Sequence, residues 1–94
     1  MSELSSLRAI IHGLVQGVNF RSFVVGRARE LGLKGYTNNL PNGEEVEVFA
    51  EGEKTRLLKL LEALKVGPRA ARVEKVTVEW GEYTGNYSNF NIKY

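Results

Sequence analysis

The stretch Gly13-Leu14-Val15-Gln16-Gly17-Val18-Asn19-Phe20-Arg21 holds the residue types in this chain best suited to chemistry. An apolar run, Leu7 to Ile11, leads into it, and a helix-like pattern from Ser22 to Leu33 leads out. A strand, a glycine-bearing turn and a helix start together gather backbone N–H groups around an anion. The first N–H groups of a helix have no intrahelical acceptor, and the helix dipole adds partial positive charge there. Gly17 permits close backbone approach and positive φ, and a run of such N–H groups forms a concave nest for oxyanions. Arg21 stands at the helix mouth with a planar, permanently charged fork that matches phosphate. The plainer alternative is a structural turn with Arg21 in water or in a surface ion pair.

The loop is neither of the common nucleotide motifs. The Gly-x-x-x-x-Gly-Lys-Ser/Thr spacing is absent, since Arg21 and Ser22 follow a single nearby glycine. The dinucleotide Gly-x-Gly-x-x-Gly pattern is absent too. The remaining inventory is narrow. With no cysteine there is no thiolate nucleophile, and His12 is the only histidine, so a Ser-His-Asp triad would have to use it. His12 falls on the polar face of a strand and reads as a surface residue. One histidine and no cysteine leave only carboxylates for a metal. Glu44, Glu45, Glu47 and Glu51 follow one another along one strand, as a solvated face or as oxygen ligands for Mg²⁺ or Ca²⁺. No metal site is expected. The loop therefore suits a reaction that grips phosphate and needs little acid–base help. Phosphoryl transfer from a good leaving group is such a reaction, because its loose transition state is stabilised mainly by positioning and charge.

The elements that position the loop follow from periodicity. Leu7 to Gly13 reads as a strand with Ala9, Ile11 and Gly13 on one face and Arg8, Ile10 and His12 on the other. Residues 1–6 are expected to be flexible. Phe20, Val24, Ala28 and Leu31 recur at helical spacing, with Arg27 and Glu30 outward and Gly32 as the stop. Gly26 inside that helix suggests close packing on a sheet. Gly35 to Leu40 is a short strand, Pro41-Asn42-Gly43 a turn, and Glu44 to Glu51 a strand with Val46, Val48 and Ala50 on one face. Glu53 to Lys65 is a second helix with Leu57, Leu60, Leu61 and Leu64 on one stripe, stopped by Gly67-Pro68. Arg72 to Trp80 is a strand whose phase shifts after Val73, which predicts a kink. Phe90, Ile92 and Tyr94 alternate as a short terminal strand. The order βαββαβ plus that strand predicts an α+β ferredoxin-like sandwich, an antiparallel sheet with two helices on one face, in a single domain over residues 1–94.

The residues carry a resemblance. Gly13-x-Val15-Gln16-Gly17-Val18-x-Phe20-Arg21 resembles the signature loop of the acylphosphatases. The likeness continues through Ala28-x-x-Leu31-Gly32-Leu33-x-Gly35-Tyr36-x-x-Asn39-Leu40-Pro41-x-Gly43, Val46-Glu47-Val48-x-Ala50-Glu51-Gly52 and Gly67-Pro68-x-Ala70-x-x-Val73. It covers the chain from about Leu7 onward and implies the same ferredoxin-like fold. It implies hydrolysis of a carboxyl–phosphate bond with water as nucleophile and no cofactor. The acyl phosphate leaves as a carboxylate, which needs no general acid. The family's catalytic arginine matches Arg21, and its water-orienting asparagine matches Asn39 by its place before Leu40-Pro41. Its phosphate cradle of backbone N–H groups matches Gln16, Gly17, Val18, Asn19, Phe20 and Arg21. Alternatively, Asn39 caps the hairpin. Asn38 should point to the opposite strand face and reads as a surface residue. Ser22 is a phosphate donor, an ordinary first-turn residue, or a nucleophile with no base in evidence, and Gln16 shapes the loop. Three departures from the family pattern stand out. Asn19 occupies a position that is often glycine, Tyr36 replaces a frequent tryptophan, and one extra residue between Gly43 and Val46 predicts a longer hairpin tip or a bulge beside Asn39.

Composition bounds the rest. The 94 residues suffice for one small domain, and a hydrophobic fraction of 43% is that of a globular protein. A net charge of +2, with basic residues scattered among acidic ones, attracts small anions and gives little support to nucleic-acid binding. The RNA-recognition fold shares the element order, but the strand Glu44 to Glu51 is acidic where that fold carries aromatics in a basic setting. A third reading is a regulatory domain that binds anions without catalysis; the presence of both Arg21 and Asn39 favours a free-standing enzyme. No apolar stretch reaches the ~20 residues of a membrane span, and Met1 to Ser6 has no signal-peptide pattern. Asn86-Tyr87-Ser88 is a glycosylation sequon without a secretion signal beside it. A cytoplasmic monomer acting on a small acyl phosphate, without nucleic acid or membrane, is the expectation; the lack of cysteine fits a reducing compartment.

Overall fold

Alternation along the first strand decides the layer structure. In the computed structural model, which describes residues 3–94, Leu7, Ala9 and Ile11 are buried while Arg8 stays exposed. The strand, β1, runs Leu4–Leu14. It starts earlier than periodicity indicated: Leu4, Ser5 and Ser6, expected to be flexible, pair with Glu53, Gly52 and Glu51. Short polar side chains hide strand periodicity, but the backbone still finds a partner. The expectation for Met1 and Ser2 lies outside the described residues.

The remaining elements are α1 (Phe20–Glu30), β2 (Lys34–Asn39), β3 (Glu45–Glu53), α2 (Lys54–Val66), β4 (Arg72–Gly81) and β5 (Phe90–Ile92). The sheet order is β4-β1-β3-β2-β5. The first four strands pair antiparallel, and β5 joins β2 in parallel, so the sheet is mixed and not wholly antiparallel. Registers put Ala9 beside both Val48 and Val78, and Ile11 beside Val46 and Val76. Against that face pack Phe20, Val24 and Ala28 of α1 and Leu57, Leu60, Leu61 and Leu64 of α2, all buried. Full burial of each leucine stabilises the fold by about 1.5–3 kcal/mol.

The phase shift after Val73 is a bulge. Gly13 pairs with Val73 and His12 with Lys75, which leaves Glu74 as the extra residue. The added hairpin residue behaves differently: β2 and β3 pair without interruption from Lys34↔Glu51 to Asn39↔Val46, so the turn of residues 40–44 absorbs it. Gly26 has a different role from the one expected. It is exposed, and a Cβ there would meet nothing within 4 Å, so no close approach explains it. Gly26→Ala should therefore raise stability by about 0.5–1 kcal/mol through helix propensity and a less flexible unfolded chain, read as a higher midpoint in urea. Gly35 is the opposite case. It has φ 143°, and a Cβ would sit 1.9 Å from the Phe49 carbonyl oxygen, inside the β2–β3 ladder. Gly35→Ala should cost at least about 2 kcal/mol, seen as a lower urea midpoint with unchanged slope.

On the far face, the glutamates expected as a solvated row are not uniformly exposed. Glu47 and Glu51 are buried. Arg8 donates from Nε to Glu47 at 2.7 Å and reaches Glu79 at 3.5 Å, and the Glu47 hydrogen bond raises the Arg8 pKa above its ordinary value. Glu51 accepts from Thr84 N and Oγ1, each at 2.8 Å, and from Gly85 N at 3.1 Å, pinning the segment 82–89 across the sheet. Tyr36 stacks on Phe49 with ring centroids 5.8 Å apart. Burial, and then the neighbouring Glu47 carboxylate, push its phenol above the ordinary value of 10.0. Among the described residues no group of three or more His, Asp or Glu side chains is gathered as metal ligands. No helix of the described residues is long and apolar enough to cross a membrane.

Candidate active site

The loop between β1 and α1 turns through two left-handed residues, Gly17 at φ 75° and Asn19 at φ 61°. Asparagine tolerates this conformation better than most side chains, which explains how Asn19 serves where glycine is frequent. Asn19 is also the N-cap of α1, and its carbonyl accepts from Phe23 N at 3.1 Å while its side chain makes no cap bond. The helix begins at Phe20, two residues before the expected start. Arg21 and Ser22 thus lie in the first turn, where N–H groups have no intrahelical acceptor. No acidic residue occupies that turn, so the positive end of the dipole is uncompensated.

These residues open onto a cleft of about 250 Å³. Gly17, Asn19, Arg21 and Ser22 come from the loop and helix, Asn39 from the end of β2, and Ile92 and Tyr94 from the C-terminal segment. Arg21 and Asn39, far apart in sequence, thus share one cavity. Arg21 makes no ion pair among the described side chains; its guanidinium lies over the Tyr94 ring at 5.8 Å. The surface salt-bridge alternative for Arg21 therefore has no support. Tyr94 itself is 99% exposed, so this ring leaves the arginine open to an anion.

Asn39 is opposite Val46 in the ladder, on the helix-covered face with Thr37 and Val48. Its neighbour Asn38 is opposite Glu47 on the other face, as strand alternation requires, although it is half-buried. The hairpin is not capped by Asn39. Leu40 N donates to Glu45 O at 2.9 Å, and Asn42 Oδ1 accepts from Glu44 N at 2.9 Å, so Asn42 closes the turn. Asn39 Oδ1 is buried and has no hydrogen-bond partner in the protein; the same is true of Asn38 Oδ1 on the opposite strand face, but of the two only Asn39 lines the cleft. Leaving such an acceptor unpaired costs about 1–3 kcal/mol, an arrangement that makes sense where a ligand or reactant water supplies the donor.

Of the expected cradle residues, Gly17, Asn19, Phe20 and Arg21 line the cleft. Val18 packs partly against the core, and the Gln16 side chain leaves the cleft for the hairpin, donating to Leu40 O at 2.8 Å and Glu45 O at 2.9 Å. His12 is outside the cleft, between Glu45 and Glu74 at 3.6 Å each. The contribution of Ile92 and Tyr94 was not foreseen; their alternation signalled a strand, but nothing local signalled that it docks beside β2.

The two-layer α+β sandwich thus brings a left-handed loop, the start of a helix, an arginine with no ion pair among the described side chains and an asparagine with an unpaired acceptor to one cleft, an arrangement suited to an anion. Relatives narrow this further. The acylphosphatase family model matches residues 7–92. An acylphosphatase of Dehalococcoides mccartyi is 53% identical over 88 residues, spanning 94% of this chain and 97% of that protein. One from Thermus thermophilus is 56% identical over 79 residues, 84% of this chain and 89% of that protein. The crystal structure of acylphosphatase from Bacillus subtilis superposes with a TM-score of 0.91 at 34% identity, covering 96% of this chain and 99% of that one. The chain belongs to the acylphosphatase family.

Proposed function

We propose that this chain is an acylphosphatase that hydrolyses the carboxyl–phosphate bond of small acyl phosphates by attack of water on phosphorus. The phosphoryl oxygens are held by the backbone N–H groups of residues 16–21 and by the Arg21 fork, which offsets negative charge as the transition state develops. Asn39 Oδ1 accepts one hydrogen of the attacking water and so directs a lone pair at phosphorus. The new P–O bond forms as the bond from phosphorus to the acyl oxygen breaks. The acyl group departs as a carboxylate, and the protons of the water remain with the product phosphate or pass to solvent. A carboxylate leaving group requires no general acid, consistent with a cleft that His12 does not enter.

The observation that carries this reading is that one cleft brings together Asn39 and Arg21, an arginine with no ion pair among the described side chains. We also read the chain as a single domain over residues 1–94, since the described residues share one hydrophobic core, and as a monomer. We read it further as cofactor-independent, because a carboxylate leaving group needs no acid or Lewis-acid help, and as cytoplasmic, since a chain without cysteine asks for no oxidising compartment. Hydrolysis of benzoyl phosphate in ¹⁸O-water tests the step itself. Label in the released phosphate is the expected outcome; label in benzoate would place attack at the acyl carbon and remove the role given to Asn39.

A further inference from the structure

Gln16 links the two halves of the cleft. Its backbone lies in the cradle loop, while its side-chain amide donates to the carbonyls of Leu40 and Glu45 at 2.8 and 2.9 Å. Leu40 directly follows Asn39, and Leu40 N donates to the same Glu45 carbonyl at 2.9 Å. These bonds form the first rung of the hairpin beyond the Asn39↔Val46 pair. A primary amide has two N–H donors on one planar group, so with both engaged the Gln16 side chain has one orientation left. The loop is tied to the hairpin a second time where Gly13 N donates to Glu44 O at 2.9 Å. That bond sits at the entry to the loop, however, and among the hydrogen bonds of the described residues it is the Gln16 side chain that grips the hairpin from residues 16–21.

We infer that Gln16 is a positioning residue that fixes Asn39, and through it the attacking water, relative to the phosphate cradle, a role that rests on the hydrolytic reading above. The cradle's own shape is set elsewhere, by the left-handed Gly17 and Asn19 and by the start of α1. Loss of the Gln16 amide should therefore spare phosphate binding and slow the chemical step. A displacement of about 1 Å in a reacting group is enough to cost roughly a hundredfold in rate.

The test is a double-mutant cycle on benzoyl phosphate with wild type, Gln16→Met, Asn39→Ala and the double variant. Methionine keeps the length and volume of glutamine and removes both donors. Gln16→Met should lower kcat by about ten- to a hundredfold, with the inhibition constant of inorganic phosphate changed less than about threefold. In the Asn39→Ala background the same substitution should cost less than about twofold, because its effect passes through Asn39. An unchanged kcat, an equal factor in both backgrounds, or a loss confined to phosphate affinity would overturn the inference while leaving hydrolysis intact. Wild type that does not hydrolyse the substrate, or Asn39→Ala with full activity, overturns it together with the reading beneath it. If Gln16→Met does not fold, Gln16→Asn carries the test, since its amide is one methylene too short to reach both carbonyls. If Asn39→Ala turns over too slowly to measure, the Asn39 side-chain amide signal in the ¹⁵N spectrum decides. It should shift or broaden in the Gln16 variant, and an unchanged signal would overturn the inference.

Discussion

Arg21→Ala is expected to reduce kcat/KM on an acyl phosphate by about a thousandfold or more, roughly 4 kcal/mol of transition-state stabilisation. The guanidinium contributes a charge that no other side chain in the cleft replaces: Gly17, Asn19, Ser22, Asn39, Ile92 and Tyr94 are all uncharged there. Because the proposed mechanism has the arginine hold the phosphoryl group before and during reaction, KM should rise as kcat falls, and the affinity for inorganic phosphate should drop in parallel. Arg21→Lys separates charge from geometry. An ammonium keeps the charge but presents no planar fork, so this variant should recover part of the phosphate affinity and little of the rate. Stability should hardly change, since Arg21 makes no ion pair among the described side chains and is partly exposed. Steady-state kinetics with a phosphate inhibition series and a urea melt would check all three statements.

Asn39→Ala is expected to lower kcat about a hundredfold or more while KM and the phosphate inhibition constant stay within a few-fold of wild type. The contrast with Arg21 follows from geometry. Asn39 comes from the end of β2, across the cleft from the cradle, and its Oδ1 has no protein partner to lose. Removing a buried acceptor that was unpaired relieves a desolvation cost of about 1–3 kcal/mol, so the variant should melt at or above the wild-type midpoint. An asparagine whose task was to cap the hairpin would give the reverse pattern, lower stability with rate intact. Measuring rate and stability on one preparation therefore separates the two roles.

How far these residues could be read from sequence depended on whether their effects are local. Ala9, Ile11, Val46 and Val48 announced their face through strand alternation, and Leu57, Leu60, Leu61 and Leu64 theirs through helical spacing; each is buried. The loop that lines the cleft could be singled out because it is one continuous stretch, and Asn39, which lines the same cleft, because the resemblance reached Leu40-Pro41. Leu4 to Ser6 were misjudged, since two serines give no alternation although their backbone pairs with β3. Glu47 and Glu51 were misjudged because their partners, Arg8 and the 84–85 backbone, come from distant parts of the chain. The Gln16 strut lies in the same category: it spans 24 residues to Leu40 and 29 to Glu45, and no local pattern encodes it. The parallel docking of β5 beside β2, which brings Ile92 and Tyr94 to the cleft, was likewise hidden. The extra hairpin residue was visible in sequence, yet only the structure shows that the β2–β3 register runs unbroken to Asn39.

The most direct measurement of the central claim is phosphate release from benzoyl phosphate by the purified chain in the presence of EDTA, alongside Arg21→Ala and Asn39→Ala shown to be folded by circular dichroism. Rapid release by the wild type, lost in both folded variants with phosphate affinity weakened only in Arg21→Ala, is the predicted result. A folded wild type that releases no phosphate above the spontaneous rate, or variants that retain full activity, would contradict the account.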